Sequence, residues 1–315
     1  MKISENCSPD LKGSWLKQRM NGVININKPI GITSHDVVYR LRRLLSIKKI
    51  GHTGTLDPDA VGVLPMCIGR ATKMADMLTA QDKQYIAEVT LGSATDTLDK
   101  TGTVTETAPV NVTEDDIRRV ATEFVGDIEQ IPPMYSAIKI NGKKLYELAR
   151  EGKEAERKPR RIHIENIEIM DIKLAENKFS MRVDCSKGTY IRTLCDDIGR
   201  RLGCFAHMSG LIRTRSGRFD IEKSYTLEQI EEMMNKEDYS FLIPIDAIFE
   251  EYPKLIISKN KARKMCNGVQ ISVQGTEDGT TYRVYDESGN FLTISVAEDG
   301  VLKILKTFYQ ILGAV

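Results

Sequence analysis

Six cysteines are scattered over 315 residues without one Cys-x-x-Cys pair, which argues against a structural zinc site or a dithiol redox centre. Unpaired thiols of this kind fit a cytoplasmic protein. Tryptophan occurs once, aromatic residues make up 6% of the chain, and histidine occurs four times. No apolar run approaches the ~18 residues a membrane helix needs, so no membrane partner is expected. The opening "MKISENCSPDLKGSWLKQRM" has no apolar centre that would read as a secretion signal. Also missing are G-x-x-x-x-G-K-[ST], H-E-x-x-H and G-x-S-x-G, so phosphoryl transfer, zinc proteolysis and esterase chemistry lose their simplest support. Cys204 and His207 form a lone C-x-x-H, too little to hold an ion, and no metal is expected.

An excess of charge is absent as well, because the net charge is +1. Its distribution is uneven. Nine Lys/Arg face four Glu between Lys139 and Arg161. Smaller basic sets occur at Arg40, Arg42, Arg43, Lys48 and Lys49, and in "RTRSGR" at 213–218. Any one run would pass as a solvated surface; three in a balanced chain read as a footprint for phosphates.

The pattern of elements mixes helices and strands over most of the length. "GVININKP" (22–29) reads as a half-buried strand, and Ser34 is the expected N-cap of a helix near 35–46. "VGVLPMCIG" (61–69) has the continuous apolar character of a buried strand, 70–80 looks helical, and "KQYIAEVTLG" (83–92) alternates. "TDTLDKTG" (95–102) resembles a calcium loop only superficially. Asp96 and Asp99 are three apart and no closing Glu follows, so a turn is expected. A helix near 113–124, a hairpin over 161–173 and 177–186, and helices over 189–203 and 226–235 come next. A boundary is expected near 250–253, followed by short strands with Ser-Gly-Asn and Glu-Asp-Gly turns, the mark of a small all-β module.

One loop stands apart. "GHTGTLDPDAVGVLP" (51–65) concentrates three glycines and two prolines around Asp57. An Asp before Pro is commonly a turn former, bonding nearby backbone amides. The surrounding chain points further. "NKPIGITSHDVV", "GHTGTLDPDAVGVLPMCIGRATK", "DKQYIAEVTLG", "GDIEQIPPMYSAIKINGKKLYELAREG" and "CSKGTYIRTLCDDIGRRLGCFAHMSGLIRTRSG" together resemble the tRNA pseudouridine-55 synthase (TruB) family, in its order and spacing. The likeness is strong over 20–250 and weaker beyond.

The resemblance implies an α+β fold: a catalytic domain over 20–250 with a central mixed or antiparallel sheet flanked by helices, and a β-rich, PUA-like RNA-binding domain over 251–315. An insertion at about 124–160 would close over the RNA arm, with Lys143, Lys144, Arg160 and Arg161 docking its backbone. Family members commonly begin near "MNGVIN", so residues 1–19 are expected to be a disordered extension. The implied activity is isomerisation of uridine-55 in the T loop of tRNA to pseudouridine, without a cofactor, by a cytoplasmic monomer that needs no protein partner.

By the same resemblance, Asp57 is the nucleophile. A carboxylate that attaches covalently to one fragment splits a hard rearrangement into two easier steps. Attack on ribose C1′, attack on the base and removal of a ribose proton all remain open for it. The target base must leave its stack first. His52 would take its place, Tyr85 would stack on the flipped uracil and help move a proton, Tyr190 and Leu211 would line the pocket, and Arg192 would pair with the carboxylate. Lys28 and Pro29 match a segment that braces the loop. Asp59 reads as a solvated turn residue. Two other readings stand beside this one: a guide-RNA-dependent pseudouridine synthase subunit, and a tRNA-folding chaperone with incidental catalysis. "YSAIKINGKKLYELAREG" favours the stand-alone form over the first.

Overall fold

The structure is a computed structural model that describes residues 20–140 and 142–309. The expectation for residues 1–19 lies outside the described residues. A large sheet is built from β1 (Gly22–Lys28), β2 (Ile50–His52), β3 (Val61–Ile68), β4 (Lys83–Leu91), β5 (Gly126–Gln130), β6 (Arg160–Lys173), β7 (Lys178–Cys185), β8 (Ala206–Ser216), β9 (Phe219–Asp220) and β10 (Ile243–Pro244). Its order is β10-β1-β3-β8-β4-β7-β6-β5, with β2 beside β3 and β9 beside β8. Every pairing is antiparallel except β8 with β3, which makes the sheet mixed.

Helices α1 (Ser34–Leu45) and α6 (Leu227–Asn235) cover one half of the sheet, where Val37, Leu41 and Ile230 meet Ile24, Ile26, Leu64 and Met66. Helices α3 (Glu114–Thr122) and α5 (Ile191–Arg201) cover the other half, where Ile117, Val120, Leu194 and Ile198 meet Ala87, Val89, Phe179 and Met181, while α2 (Ala75–Thr79) and α4 (Leu145–Arg150) are short. Tyr85 and Leu211 pack against both clusters, so they lie at the seam between them.

The alternate residues of β1 and β3 point to the other face. There Val23, Val63 and Cys67 join Phe249, Ile294 and Phe308 in a third cluster. That cluster ties the large sheet to a five-stranded one made of β11 (Lys254–Ile257), β12 (Ile271–Ser272), β13 (Thr281–Asp286), β14 (Phe291–Glu298) and β15 (Val301–Thr307).

Local capping departs from the expectation at one point. Thr33, not Ser34, caps α1: its side chain accepts from the Asp36 amide at 3.0 Å while Asp36 Oδ2 accepts from the Thr33 amide at 2.8 Å. Ser34 is the first helical residue, and its hydroxyl is engaged elsewhere.

Candidate active site

Residues 51–60 leave β2 and are held from four directions before entering β3. The Thr53 amide donates to Pro65 O at 3.1 Å, and the Gly31 amide donates to Pro58 O at 2.9 Å. The Ser34 hydroxyl accepts from the Leu56 amide at 2.8 Å and donates to Leu56 O at 3.0 Å, so the first turn of α1 is tied to the loop in both directions. From below comes Lys28, whose side chain is fully buried. Its ammonium donates to the carbonyls of Pro29 (2.9 Å), Pro58 (3.2 Å) and Ala60 (2.7 Å), one acceptor for each of its three protons. Burial pulls the Lys28 pKa down to about 8, against the pull of Asp57 and Asp59.

The loop presents Asp57 to Arg192. Asp57 Oδ2 lies 3.2 Å from Arg192 Nη2, with the guanidinium side chain 8% exposed and the carboxylate 42% exposed. Arg192 sits in the first turn of α5 and is fixed by more than this one partner. Its Nη1 donates to Thr97 O at 3.2 Å and to Asp99 Oδ2 at 3.4 Å, and its Nη2 donates to Tyr135 O at 2.9 Å. Asp99 is itself locked, because its Oδ1 accepts from Thr97 Oγ1 (2.8 Å), the Thr101 amide (3.0 Å) and Thr101 Oγ1 (2.6 Å). The hairpin of Ser93–Thr95 and Val104–Thr107 thus carries a turn that does more than reverse the chain. Burial raises the Asp57 pKa, Arg192 opposes that rise, and the neighbouring Asp99 adds to it.

Tyr85 stands on β4 with Arg213 of β8 as its cross-strand partner. Burial pushes its hydroxyl above the ordinary phenol range, Arg213 pulls the other way, and Asp57 is close enough to contribute. Leu211 lies two residues before Arg213 on β8 and half-buried at the seam. His52 ends β2, and its Nδ1 accepts from the Gly54 amide at 3.4 Å. Burial lowers its pKa, with the Arg213 charge acting in the same direction, so the imidazole is neutral at pH 7. Tyr190 immediately precedes α5, held by Gln130: the Tyr190 amide donates to Gln130 Oε1 at 2.8 Å, and Gln130 Nε2 donates to Tyr190 O at 3.1 Å.

Asp57, Arg192, Tyr85, His52 and Lys28 therefore share one neighbourhood, with Leu211 on the same strand as Arg213. Lys143, Lys144, Arg160 and Arg161 do not belong to it. They stand on a short hairpin (Lys139–Ile140 with Lys143–Lys144) and at the start of β6.

One expectation is overturned. The run "RTRSGR" is not a set of three free surface charges. Arg213 is 1% exposed, Arg215 pairs with Asp184 at 2.6 Å, and Arg218 donates to Ala247 O and Ile248 O and pairs with Glu250. Strand pairing brings acceptors to Arg213 and Arg215, and the turn at 247–250 supplies those of Arg218. Residues the sequence reading did not assign to the site are Asp99, Arg213, Gln130 and Ser34. Arg213 carried a usable signal, since it falls at i+2 from Leu211 on a strand and so shares its face.

Three family models cover most of the chain. The N-terminal domain of the TruB family of pseudouridylate synthases matches residues 42–191, the tRNA pseudouridylate synthase B C-terminal domain matches 192–250, and a C-terminal model of pseudouridine synthase II TruB matches 253–303. A tRNA pseudouridine synthase B of Clostridium kluyveri is 45% identical over 293 residues, covering 92% of this chain and 100% of that protein. The chain belongs to the TruB family. A second TruB relative, tRNA pseudouridine synthase B of Bacillus subtilis, is 46% identical over 92% of this chain and 98% of its own. Among solved structures, a chain of a Cbf5-Nop10-Gar1 complex superposes with a TM-score of 0.70 at 27% identity, covering 98% of this chain and 91% of that one. An H/ACA RNP bound to a substrate RNA containing 2′-deoxyuridine gives 0.69 at 25%, covering 98% and 94%. The TruB fold is thus shared with RNP subunits, while the closer sequence likeness is to proteins named as tRNA enzymes.

Proposed function

We propose that this pseudouridine synthase isomerises uridine-55 in the T loop of tRNA, with Asp57 as nucleophile and without a cofactor. The observation that carries the reading is the Asp57 carboxylate held 3.2 Å from the buried Arg192 guanidinium, on a loop braced from four sides. The ion pair keeps the carboxylate charged and aimed where burial alone would favour its neutral form.

The reaction needs the bond from ribose C1′ to uracil N1 broken, the base turned, and a new bond made from C1′ to C5; C5 then loses its proton and N1 ends protonated, so product and substrate are isomers. Asp57 can hold one fragment while the other turns. The neutral His52 ring fills the stack vacated by the flipped uridine, and Tyr85 offers the base a phenol face worth ~1–3 kcal/mol in stacking. Tyr190 and Leu211 line the pocket. Lys143, Lys144 and Arg160, on the insertion over about 124–160, and Arg161 just after it dock the RNA backbone, and the β-rich unit that begins at about 251 is a further RNA contact. The protein acts as a cytoplasmic monomer. Catalysis without a guide RNA is supported by 45–46% identity to proteins named as tRNA pseudouridine synthase B, against 25–27% to chains solved in a Cbf5-Nop10-Gar1 complex and an H/ACA RNP. Incubating the purified chain with a bare tRNA transcript and mapping pseudouridine is the test. Modification at position 55 without added RNA or protein is expected; modification only with a guide RNA and partner subunits would reverse the reading.

A further inference from the structure

Arg213 is among the largest fully buried side chains, and no ion pair to it occurs among the described residues. A guanidinium kept from water without a carboxylate costs stability. Its partners are all neutral oxygens: Nε donates to Val63 O at 2.6 Å, and Nη2 donates to Gly54 O at 3.3 Å. Tyr85 is its direct register partner on β4, so the two side chains leave the same face of the sheet side by side. A hydrophobic side chain would fill a merely structural slot more cheaply.

We propose that Arg213 is a positioning residue for the chemistry, clamping the Tyr85 hydroxyl to the Gly54 carbonyl and so setting the phenol against the loop that carries His52 and Asp57. Three strands meet at this one group, because Val63 lies on β3, Tyr85 on β4 and Arg213 itself on β8. The backbones approach closely there: a Cβ on Gly62 would stand 2.3 Å from Arg213 O, so the register that places the guanidinium depends on that glycine. With the guanidinium donating to its oxygen, the phenol keeps its own proton free to point at the base. The inference rests on the pseudouridine synthase reading and goes beyond it by assigning Arg213 to Tyr85.

The test is a double-mutant cycle of Arg213→Lys and Tyr85→Phe, read as single-turnover pseudouridine formation on a tRNA transcript with tRNA affinity measured in parallel. Arg213→Lys is expected to slow the wild type by ~30-fold or more, but the Tyr85→Phe protein by no more than ~3-fold, with affinity within ~3-fold throughout. Equal slowing in both backgrounds, or loss of affinity alone, overturns the assignment. If Arg213→Lys does not fold, the arginine side-chain NMR spectrum decides. The solvent-protected guanidinium signal that persists in Arg192→Lys should move in Tyr85→Phe, and an unmoved signal overturns the proposal. A wild type that makes no pseudouridine would refute the functional reading instead, leaving the NMR comparison to judge Arg213.

Discussion

Between residues 51 and 60 the polar groups turn inward, whereas between 139 and 161 most of the charge faces water. In the loop, Thr53, Leu56, Pro58 and Ala60 all spend backbone groups on partners in other elements, and Lys28 is buried beneath them. In the basic segment, Lys139, Lys143, Arg150, Lys153, Lys158, Arg160 and Arg161 are exposed. Lys143 and Lys153 share one Glu151, at 3.6 and 2.8 Å, while Arg150 and Lys144 lie over the Tyr146 ring. Lys139, Lys158, Arg160 and Arg161 have no ion pair among the described residues. A reacting group needs a fixed geometry, so its surroundings are over-determined. A phosphate-docking surface needs charge left unpaired, because a salt-bridged lysine has little left to offer a phosphate.

The hardest break in this contrast is Asp57→Asn. The amide keeps the shape of the loop and cannot act as a nucleophile, so turnover should fall below about one per cent of wild type while tRNA binding stays within ~3-fold. Because burial raises the Asp57 pKa, the acid limb of kcat/KM should lie above the ordinary carboxylate value of 3.8, with activity falling as pH drops through it. A residual rate well above that level would remove Asp57 from the chemistry.

Next in size are the residues that hold Arg192. Arg192→Lys loses the fork that reaches Asp57, Asp99, Thr97 O and Tyr135 O together, and ~10–100-fold slower turnover is expected. Asp99→Asn should show a smaller loss of the same kind, in kcat more than in KM. Normal kcat in Asp99→Asn would mean that the 93–107 hairpin merely supports the sheet.

A smaller effect tests the brace itself. Lys28 has a folded pKa of about 8, below its ordinary value of 10.5, so the unfolded chain binds more protons between those values. The cost of burying the ammonium is present in full below about pH 8 and lifts as pH rises toward 10.5. Relative to Lys28→Met, the wild type should therefore gain stability over that window, by up to ~3 kcal/mol. Urea unfolding of both proteins at pH 7 and pH 10 measures it. An unchanged difference would mean that the ammonium stays fully charged throughout.

Much of this architecture was legible because it rests on local pattern. The alternation in β4, the apolar run of β3 and the stop at Gly203 after α5 each follow from a few adjacent residues. By contrast β1, expected to be half-buried, is covered on both faces, because the third cluster packs on the side opposite α1. What was not legible depends on pairing across long distances. Asp99 read as a turn residue because its local partners, Thr97 and Thr101, account for one of its oxygens; the other reaches Arg192, 93 residues away. Arg213 read as surface charge for the same reason, since its acceptors lie 150 and 159 residues earlier. Ser34 and Thr33 are equally good caps by composition, and only the Leu56 backbone explains why Thr33 is left to cap α1.

The smallest expected effect on chemistry, and the sharpest on docking, comes from the basic segment. Replacing Lys143, Lys144, Arg160 and Arg161 with Gln should flatten the salt dependence of tRNA binding by ~0.7–0.9 in the slope of log K against log salt for every phosphate no longer neutralised. The contributions should be unequal. Arg160 and Arg161 are exposed at the start of β6, opposite Gln130 and Glu129, with no ion pair among the described residues, so each should neutralise a phosphate in full. Lys143 is already near Glu151, and Lys144 donates to the Tyr146 hydroxyl at 3.1 Å, so both must exchange a partner for the RNA. The Arg160/Arg161 double variant should therefore account for most of the change in the quadruple one. The rate of the bound complex should remain within ~2-fold in both, since none of the four touches Asp57 or Arg192. Binding measured at three salt concentrations for wild type, the double and the quadruple variant separates the cases. Parallel lines for all three would place this face away from the RNA. A slope change confined to the lysines would mean that the ion pair at Glu151 opens readily and that exposure alone does not mark a docking residue.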